Sequence, residues 1–513
     1  MTERLKKDII KLVIDEVVIE GESVKIFATI PLPNKIHERE MDKTDIPGTF
    51  NAGATLGPVN ETNMARIWNK HKQTNTPLKR KVFVGVSGGV DSAVAAALLK
   101  KQGYDVAGVF MRFWKPEPRI NADSKGADKR GYENSCCSVE SEAKARLVAG
   151  KFGIPFYIFN FAKEFKREVV DYFLAELAAG RTPNPCAVCN PQIKFGLFLE
   201  RAKKLGADFV ATGHYVKTDV IASPARAGRG NPEDSSDATG LLRRVTPFER
   251  SDAPRNDLVG LFMAKDKQKD QSYFLAGLSQ EQLSKIIWPL GNYTKPEVYK
   301  LAKKWHLPHQ ARQSFDICFA GDYKGFLRRY LKMREGKIVS SSVIPAKVVD
   351  PGRAGIQIKS GPGSRVTRLD SHARRARREP GMTKEIILGK HQGLPLYTIG
   401  QRAGIGGPGP FYVVKKDAKK NILYVSNNEK DLLQKEMMVK NVNWLSGQRP
   451  KLPLKCKVKI RYQGEGAAKS LVAKRKSQIV VTFDRPQRAI TPGQLAVFYG
   501  RGGEVLGGGV IKG

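Results

Sequence analysis

The sequence of 513 residues contains only six cysteines, which is far too few for a disulfide scaffold. It has no apolar run of the roughly 18–20 residues that a membrane-spanning helix needs. The N-terminus mixes acidic and basic residues without an uninterrupted apolar stretch, unlike a secretory signal or an acid-poor transit peptide. We therefore expect a cytoplasmic protein, outside the membrane, whose important thiols are catalytic or metal-bound.

Acidic residues are scarce relative to basic ones. The chain has 50 Asp and Glu against 88 Lys and Arg, which gives a formal charge of +38. This excess indicates a polyanionic partner such as nucleic acid, although basic tails alone would give the same composition. The length suffices for two or three domains, each with its own core.

The pattern along the chain changes several times. From Lys81, β-branched apolar segments alternate with helical ones, which indicates a parallel, Rossmann-like sheet covered by helices. After about Met437, short strands alternate with turns, which indicates a small β-barrel. Residues 1–80 contain a strand pair and a linker, and the sequence leaves open whether they come from a fused or misassigned reading frame. We thus predict an α/β fold with an extension at 1–80, a nucleotide-binding domain at 81–320 with an insertion at 221–258, a small central domain at 321–436 with an insertion at 353–384, and a β-barrel at 437–513.

A Gly-rich turn connects the first strand of this domain to a helix. Glycines allow close backbone approach to an anion, and the following helix N-terminus offers unpaired N–H groups. No Lys follows the glycines, so this is not the P-loop of Walker-type NTPases. The turn and helix start have the sequence SGGVDS, from Ser87 to Ser92. This motif resembles the loop of the ATP pyrophosphatases, which cut ATP between its α and β phosphates. Asp91 is an acid at a phosphate site, and we expect it to hold Mg²⁺. The predicted ATP-binding residues here are Gly85, Val86, Ser87, Gly88, Gly89, Val90, Asp91 and Ser92.

Two further strand ends belong to the same predicted site, because ligands bind at the carboxyl ends of parallel strands. Gly213 and His214 lie at the end of the predicted strand DFVATGH; we expect Gly213 near the nucleotide and His214 near an incoming RNA. A structural histidine is the alternative. Met111 ends another strand and is expected to form a wall for the adenine, unless it is an ordinary core residue.

The cysteines permit three interpretations on composition alone. Cys186 and Cys189 lie two residues apart in a proline-rich segment, which we predict to be a rigid loop. Cys318 follows 129 residues after Cys189, and Cys136 and Cys137 are adjacent. Zinc binding, a thioredoxin-like redox pair and sulfur transfer through a persulfide all remain open at this point.

Several motifs in one order narrow the choice: TPNPCAVCNPQIKFG, ATGHY, KDKQKDQSYFL, SFDICFAGDYKGFLRRYL, YTIGQR and TPGQLAVFY. With them the chain resembles the bacterial tRNA-specific 2-thiouridylases from about Lys81 to its C-terminus, apart from the two insertions. The resemblance implies that ATP adenylates the C2 oxygen of the wobble uridine in tRNAs for Lys, Glu and Gln. A persulfide sulfur then replaces that oxygen, giving 2-thiouridine, AMP and pyrophosphate.

The resemblance also assigns roles to individual residues. It makes Cys189 the nucleophile and Cys318 the carrier of the persulfide, with ATP and Mg²⁺ as cofactors. It implies a sulfur-donor protein as a partner, and we expect a monomer. Asn184, Pro185 and Cys186 would border the target base. The implied tRNA contacts are His214, Lys269, Asp270, Gln271, Arg461, Tyr462 and Gln494.

One position departs from the family pattern. Many members carry Asp where this chain has Cys186, and that acid is a candidate general base. A second thiol beside Cys189 makes a Cys186–Cys189 disulfide a hypothesis under oxidising conditions. Two rival functions remain: an adenylating synthetase with a small substrate, which needs no basic barrel, and a non-catalytic RNA-binding protein, which needs no phosphate loop.

Overall fold

The structure is a computed structural model, and it describes residues 14–20, 23–28, 79–116, 138–221, 258–307, 317–340, 386–406, 410–463, 468–475 and 478–512. Nearly all of the predicted insertion 221–258 and the whole of 353–384 lie outside these residues, as do Cys136 and Cys137. Within the described residues, no helix has the length and apolarity to cross a membrane.

A seven-stranded sheet organises the first half of the chain, in the order β2-β1-β5-β4-β3-β6-β9. All five residues of β3 are buried, because its two faces are both covered by helices. Strands β4 and β6 lie on either side of β3, and both run parallel to it. The chain adds β4 and β5 on one side of β3 and then β6 on the other, so the strand order reverses between β3 and β6. The carboxyl ends of these two strands therefore form the crevice where open α/β sheets bind ligands. The strands are β1 (Ile14–Glu20), β2 (Ser23–Ala28), β3 (Lys81–Gly85), β4 (Asp105–Arg112), β5 (Phe156–Asn160), β6 (Phe209–Ala211) and β9 (Ile286–Ile287).

Helices cover this sheet on both faces. The first, α1 (Val90–Lys101), is buried along most of its length because its middle is a run of small and aliphatic residues. The second, α2 (Val139–Phe152), begins at Ser138, whose hydroxyl accepts a hydrogen bond from Ser141 N. Further along the chain are α5 (Gln280–Ser284), α6 (Lys295–Lys304) and α7 (Tyr323–Tyr330), and a hairpin of β7 (Val216–Ile221) and β8 (Leu258–Met263).

Two longer helices contain wide π-turns. Helix α3 combines the segments Ala162–Phe165, Lys166–Asp171 and Tyr172–Ala178, and α4 combines Cys186–Cys189, Asn190–Leu197 and Phe198–Lys204. The prediction that the cysteine segment is a loop was therefore wrong. Pro185 precedes the first turn, where a missing N–H costs nothing, and the π-turn accommodates Pro191. Gln282 Nε2 donates to the carbonyls of Pro191 and Phe195, at 2.7 and 3.1 Å, within this widened turn.

The second half of the chain contains a four-stranded sheet and a closed six-stranded barrel. The barrel order is β14-β17-β16-β15-β18-β19, with all pairs antiparallel. The predicted fold class, a parallel-sheet domain followed by a small central domain and a β-barrel, is thus confirmed, while its exact boundaries stay predictions. The strands are β10 (Gly336–Ser340), β11 (Ile386–His391), β12 (Tyr412–Asp417), β13 (Ile422–Ser426), β14 (Leu433–Trp444), β15 (Leu454–Lys459), β16 (Ala468–Arg475), β17 (Gln478–Arg488), β18 (Leu495–Tyr499) and β19 (Val505–Ile511).

The N-terminal extension contributes to the first sheet. Strands β1 and β2 form an antiparallel hairpin, and β1 pairs in parallel with β5 through Val18↔Ile158 and Ile19↔Phe159. Without this hairpin β5 would be an edge strand, with unpaired backbone groups open to other chains.

Removal of residues 1–78 should therefore change solubility rather than chemistry. We expect the shortened chain to keep the activity per folded molecule of the full chain, because every predicted site residue lies at or after Gly85. It should form soluble aggregates at lower concentration than the full chain, measured by light scattering. A large loss of activity in the monomeric fraction would show that the extension takes part in function.

Candidate active site

The Gly-rich turn after β3 is held open by its own backbone and hydroxyl groups. Ser87 N donates to Ser92 Oγ at 3.1 Å, and Ser92 Oγ donates to Gly89 O at 3.0 Å. Gly88 has a φ of +74°, and a Cβ there would lie 2.2 Å from Ser141 O at the start of α2. Only glycine fits this position, so the turn and the N-terminus of α1 form a cradle of the kind that binds phosphate.

Residues from two other strand ends meet this turn. A Cβ on Gly213 would lie 2.7 Å from Ser92 N, so the loop after β6 touches the first turn of α1. A Cβ on Gly85 would lie 3.0 Å from Met111 Cε, so the end of β4 borders the turn on its other side. The structure thus brings the predicted nucleotide residues Gly85–Ser92, Met111 and Gly213 together.

A lysine that the sequence analysis missed lies at the centre of this cradle. Lys295 Nζ is 2.7 Å from both carboxylate oxygens of Asp91, and Tyr215 OH donates to Asp91 Oδ1 at 2.7 Å. Burial and the Asp91 charge raise the pKa of Tyr215, which therefore stays protonated. A signal was available: Lys295 opens a helix, where the helix dipole disfavours a cation unless an acid lies nearby.

Hydrogen bonds join the segment before the cysteines to the barrel. Thr182 N donates to Pro492 O at 2.9 Å, and Gln494 Nε2 donates to Thr182 O at 2.8 Å. Asn184 Oδ1 then accepts from Cys186 N at 3.1 Å and starts the helical turn that carries both thiols. Asn184 and Cys186 are partly exposed at this point, whereas Pro185 is buried.

The three thiols of this region share one electrostatic environment. Cys189 is 6% exposed, and burial raises the pKa of its thiol, with Lys194 opposing the shift. Negative charge on Cys318 or Cys186 would raise the pKa of Cys189 further, so both thiols lie near it. Cys318 is partly exposed, and its neighbour Phe319 is buried against Phe165 and Phe173 of α3. The structure therefore brings Cys189, Cys318 and Cys186 together.

His214 connects the nucleotide cradle to the thiols. It directly follows Gly213, its Nδ1 lies 2.7 Å from Thr212 Oγ1, and its ring is 5.7 Å from that of Phe195. Burial, assisted by the charge of Lys194, lowers the pKa of His214 to about 3. The imidazole is thus neutral near pH 7, and any contact with RNA would be a neutral hydrogen bond or a ring contact. Lys194, which the sequence analysis did not single out, acts electrostatically on both Cys189 and His214.

The other residues predicted to contact RNA divide into exposed and internal groups. Lys269 is exposed. Asp270 is 2% exposed and accepts hydrogen bonds from Ala264 N and Ser272 Oγ at 2.9 and 2.7 Å, so its carboxylate faces the interior. Gln271 Oε1 accepts from Tyr215 N at 3.0 Å and holds the strand end beside the cradle.

The three predicted barrel residues join the barrel to the rest of the molecule. Gln494 holds Thr182, as described above, and Arg461 donates to Ile399 O and Ala489 O at 3.2 and 2.9 Å. The ring of Tyr462 lies 4.5 Å from that of Phe274. Sequence motifs that are far apart in the chain are thus in contact in the folded protein.

The burial of Cys189 leads to a test of thiol reactivity. Because the thiolate is the reacting species, a raised pKa slows alkylation at a given pH about tenfold per unit. At pH 8 we expect iodoacetamide to modify Cys186 and Cys318 at least tenfold faster than Cys189, followed by peptide mass spectrometry. In urea, where the chain is unfolded, the three cysteines should be alkylated at similar rates. If Cys189 reacted first in the native protein, its thiol would be ionised and exposed, contrary to this environment.

Among the described residues, no group of three His, Cys, Asp or Glu side chains is arranged to hold a metal ion. The zinc interpretation of Cys186 and Cys189 therefore has no support in this part of the chain. Among the described cysteines, Cys189 and Cys456 are free thiols.

Comparison with known proteins agrees with this arrangement. Residues 80–322 match the family described as the tRNA methyl transferase HUP domain, residues 373–427 its PRC-barrel domain, and residues 434–511 the aminomethyltransferase β-barrel domain. The chain is 38% identical over 438 residues to the tRNA-specific 2-thiouridylase MnmA of Roseiflexus castenholzii, covering 84% of this chain and 99% of that protein. The chain belongs to the tRNA-specific 2-thiouridylase family. The resemblance inferred from the sequence motifs is thereby confirmed.

Other members of the 2-thiouridylase family match equally completely. The MnmA proteins of Clostridioides difficile and Legionella pneumophila are each 36% identical to the chain, which covers 99% of either protein. The matched domains begin at residue 80, so the N-terminal hairpin lies outside the part described by the family domains.

Proposed function

We propose that this protein is a tRNA sulfurtransferase that converts the wobble uridine of tRNAs for Lys, Glu and Gln into 2-thiouridine, using ATP and a cysteine persulfide. Membership of the family implies the use of ATP and a tRNA substrate. The observation that carries the proposal is the convergence of a phosphate cradle and two neighbouring thiols, connected through His214 and Lys194.

Activation of the base comes first in the proposed reaction. The C2 carbonyl of uridine is unreactive towards sulfur, and its oxygen must become a leaving group. The base leaves its stack and enters the space beside Asn184, Pro185 and Cys186. Its O2 then attacks the α-phosphorus of ATP, pyrophosphate leaves, and the cradle from Gly85 to Ser92 holds the phosphates.

Sulfur transfer follows at the two thiols. The terminal sulfur of a persulfide on Cys318 attacks C2, and AMP leaves with the former oxygen. The Cys189 thiol then attacks the Cys318 sulfur of the resulting disulfide, which releases 2-thiouridine and forms a Cys189–Cys318 bond. A thiol reductant resets that bond, and a sulfur-donor protein reloads Cys318. Lys194 favours the Cys189 thiolate and so offsets part of the effect of its burial.

Asp91 is the proposed Mg²⁺ ligand. Protein sites hold Mg²⁺ through one or two carboxylates together with substrate phosphates, and Asp91 places one carboxylate at the phosphate cradle. The ion would neutralise phosphate charge during adenylation. The Lys295 ammonium already pairs with this carboxylate. Mg²⁺ would therefore either replace Lys295 at Asp91 or bind the carboxylate together with it.

A tRNA-dependent pyrophosphate assay tests the proposal. We expect pyrophosphate release from ATP only when unmodified tRNA is added, and 2-thiouridine in the digested tRNA when a persulfide donor is present. Pyrophosphate release with a small acceptor in place of tRNA would favour a small-molecule synthetase. Binding of tRNA without any pyrophosphate release would indicate a non-catalytic RNA-binding protein.

The proposed reaction also needs a cellular location and a sulfur donor. We propose action in the cytoplasm as a monomer, with a cysteine desulfurase or a sulfur-relay protein as donor. The cationic surface supplies electrostatic attraction to tRNA, so binding should weaken steeply with salt.

A further inference from the structure

A basic cavity opens at the rim of the barrel, outside the residues assigned above. Its volume is about 400 Å³, and the described residues that line it include four cationic side chains and no Asp or Glu. The cations are Lys440, Arg449, Lys474 and Lys512. Trp444 adds an aromatic surface, held by stacking on Phe498 at 5.3 Å.

The barrel backbone creates this cavity. The register of β14 against β19 shifts between Lys440 and Asn443, and Asn441 adopts a φ of +52°. A bulge of this kind bends a strand and redirects its side chains. Lys474 of β16 and Gln478 of β17 line the same opening as the residues of the bulge. Cationic side chains from separate strands therefore lie around one cavity.

The cavity lies beside the segment that carries the catalytic thiols. Lys512 N donates to Met438 O, and the preceding Ile511 N donates to Gln494 O, both within 2.9 Å. Gln494 in turn holds Thr182. On the other side, the pKa of Glu176, in the last turn of α3, is lowered chiefly by its hydrogen bond with Arg181 and further by the charge of Lys440. The ion pair with Arg181 offsets the negative charge of Glu176 near this cavity lysine.

We propose that this cavity binds a backbone phosphate of the tRNA whose target uridine lies in the active site. This assignment rests on the proposed function. The cavity has the charge for an RNA phosphate, an aromatic side chain that can pack on the adjoining nucleotide, and a position next to the thiol segment. A free phosphate or mononucleotide has the same chemistry, and the experiment separates the two sources.

The test replaces Lys440 and Lys512 together with glutamine, with Lys455 and Lys457 replaced as a matched pair. All four lysines are exposed, and the control pair lies on β15 outside the cavity. For the cavity pair we expect a roughly tenfold weaker tRNA affinity near physiological salt and a salt slope reduced by about 1 to 2. KM for tRNA should rise, and kcat at saturating tRNA should stay within twofold. The control pair should change affinity less than twofold.

Equal tRNA affinity of the two pairs would overturn the assignment. A second result would also overturn it: the cavity variant keeps its tRNA affinity but no longer binds inorganic phosphate or AMP in calorimetry. The cavity would then bind a small phosphate compound rather than tRNA. The two failures can be told apart by the activity of the wild-type protein. If the proposed function is wrong, the wild-type protein forms no thiouridine. If only this inference is wrong, the wild-type protein still forms it.

Discussion

Replacing Cys189 with serine is expected to abolish thiouridine formation, with a loss of at least about a thousandfold, because the Cys189 thiol is the group proposed to release the sulfur from Cys318. tRNA affinity should stay within twofold, since Cys189 is buried and its replacement removes no charge at the surface. Nucleoside analysis of tRNA after a single turnover measures the product, and filter binding measures the affinity. tRNA-dependent pyrophosphate release should persist for one turnover, because adenylation precedes the sulfur step.

Cys318→Ser should give the same loss, with the difference that no persulfide is detected by mass spectrometry after loading. Cys456→Ser is the matched control, because this thiol lies in barrel strand β15, away from the cradle. Wild-type product from either active-site variant would show that the assigned role of that cysteine is wrong. Wild-type product from both would remove the sulfur-transfer mechanism altogether.

Asp91→Asn is expected to reduce tRNA-dependent pyrophosphate release about a hundredfold or more, the size of effect seen when one preorganised charge is lost from an active site. The amide preserves the shape of the side chain and can still accept from Tyr215, but it can neither pair with Lys295 nor hold Mg²⁺ as a carboxylate does. The assay follows initial rates across a Mg²⁺ titration.

Lys295→Met separates the two roles of Asp91, and Lys303→Met is the control, because Lys303 is exposed on the same helix. If Asp91 holds the metal, its variant needs more Mg²⁺ for half-maximal rate, whereas Lys295→Met loses rate at an unchanged Mg²⁺ requirement. If the Asp91 variant also keeps the wild-type requirement, Asp91 acts through Lys295 rather than through Mg²⁺. Unchanged pyrophosphate release in Asp91→Asn would contradict both roles.

The strand, turn and helix start that form the phosphate cradle were predictable from the sequence because they are local. The buried strand, the glycine turn and the helix start at Val90 are consecutive, so chain order alone implies their geometry. The family motifs located the thiols but not their electrostatics. Lys295 and Asp91 are 204 positions apart, and only the fold brings them to 2.7 Å.

Long-range packing also explains the one element that was predicted wrongly. Prolines around Cys186 and Cys189 indicate a loop, yet the segment is helical. Gln282, 91 positions after Pro191, bonds the carbonyls of the widened turn. Likewise, the burial that lowers the pKa of His214 to about 3 comes from Phe195 and Trp288, which lie on separate elements. Such tertiary effects override local propensity and are not readable from spacing.

The hydrogen bond between Gln494 and Thr182 spans 312 positions, so the thiol segment is held by a residue that is synthesised long after it. During synthesis on the ribosome, the phosphate cradle has all its strands long before β19 emerges. A nascent chain that lacks the barrel would therefore contain the proposed nucleotide cradle without the contact that positions the proposed thiol segment. Folding of the barrel is what joins the two proposed sites.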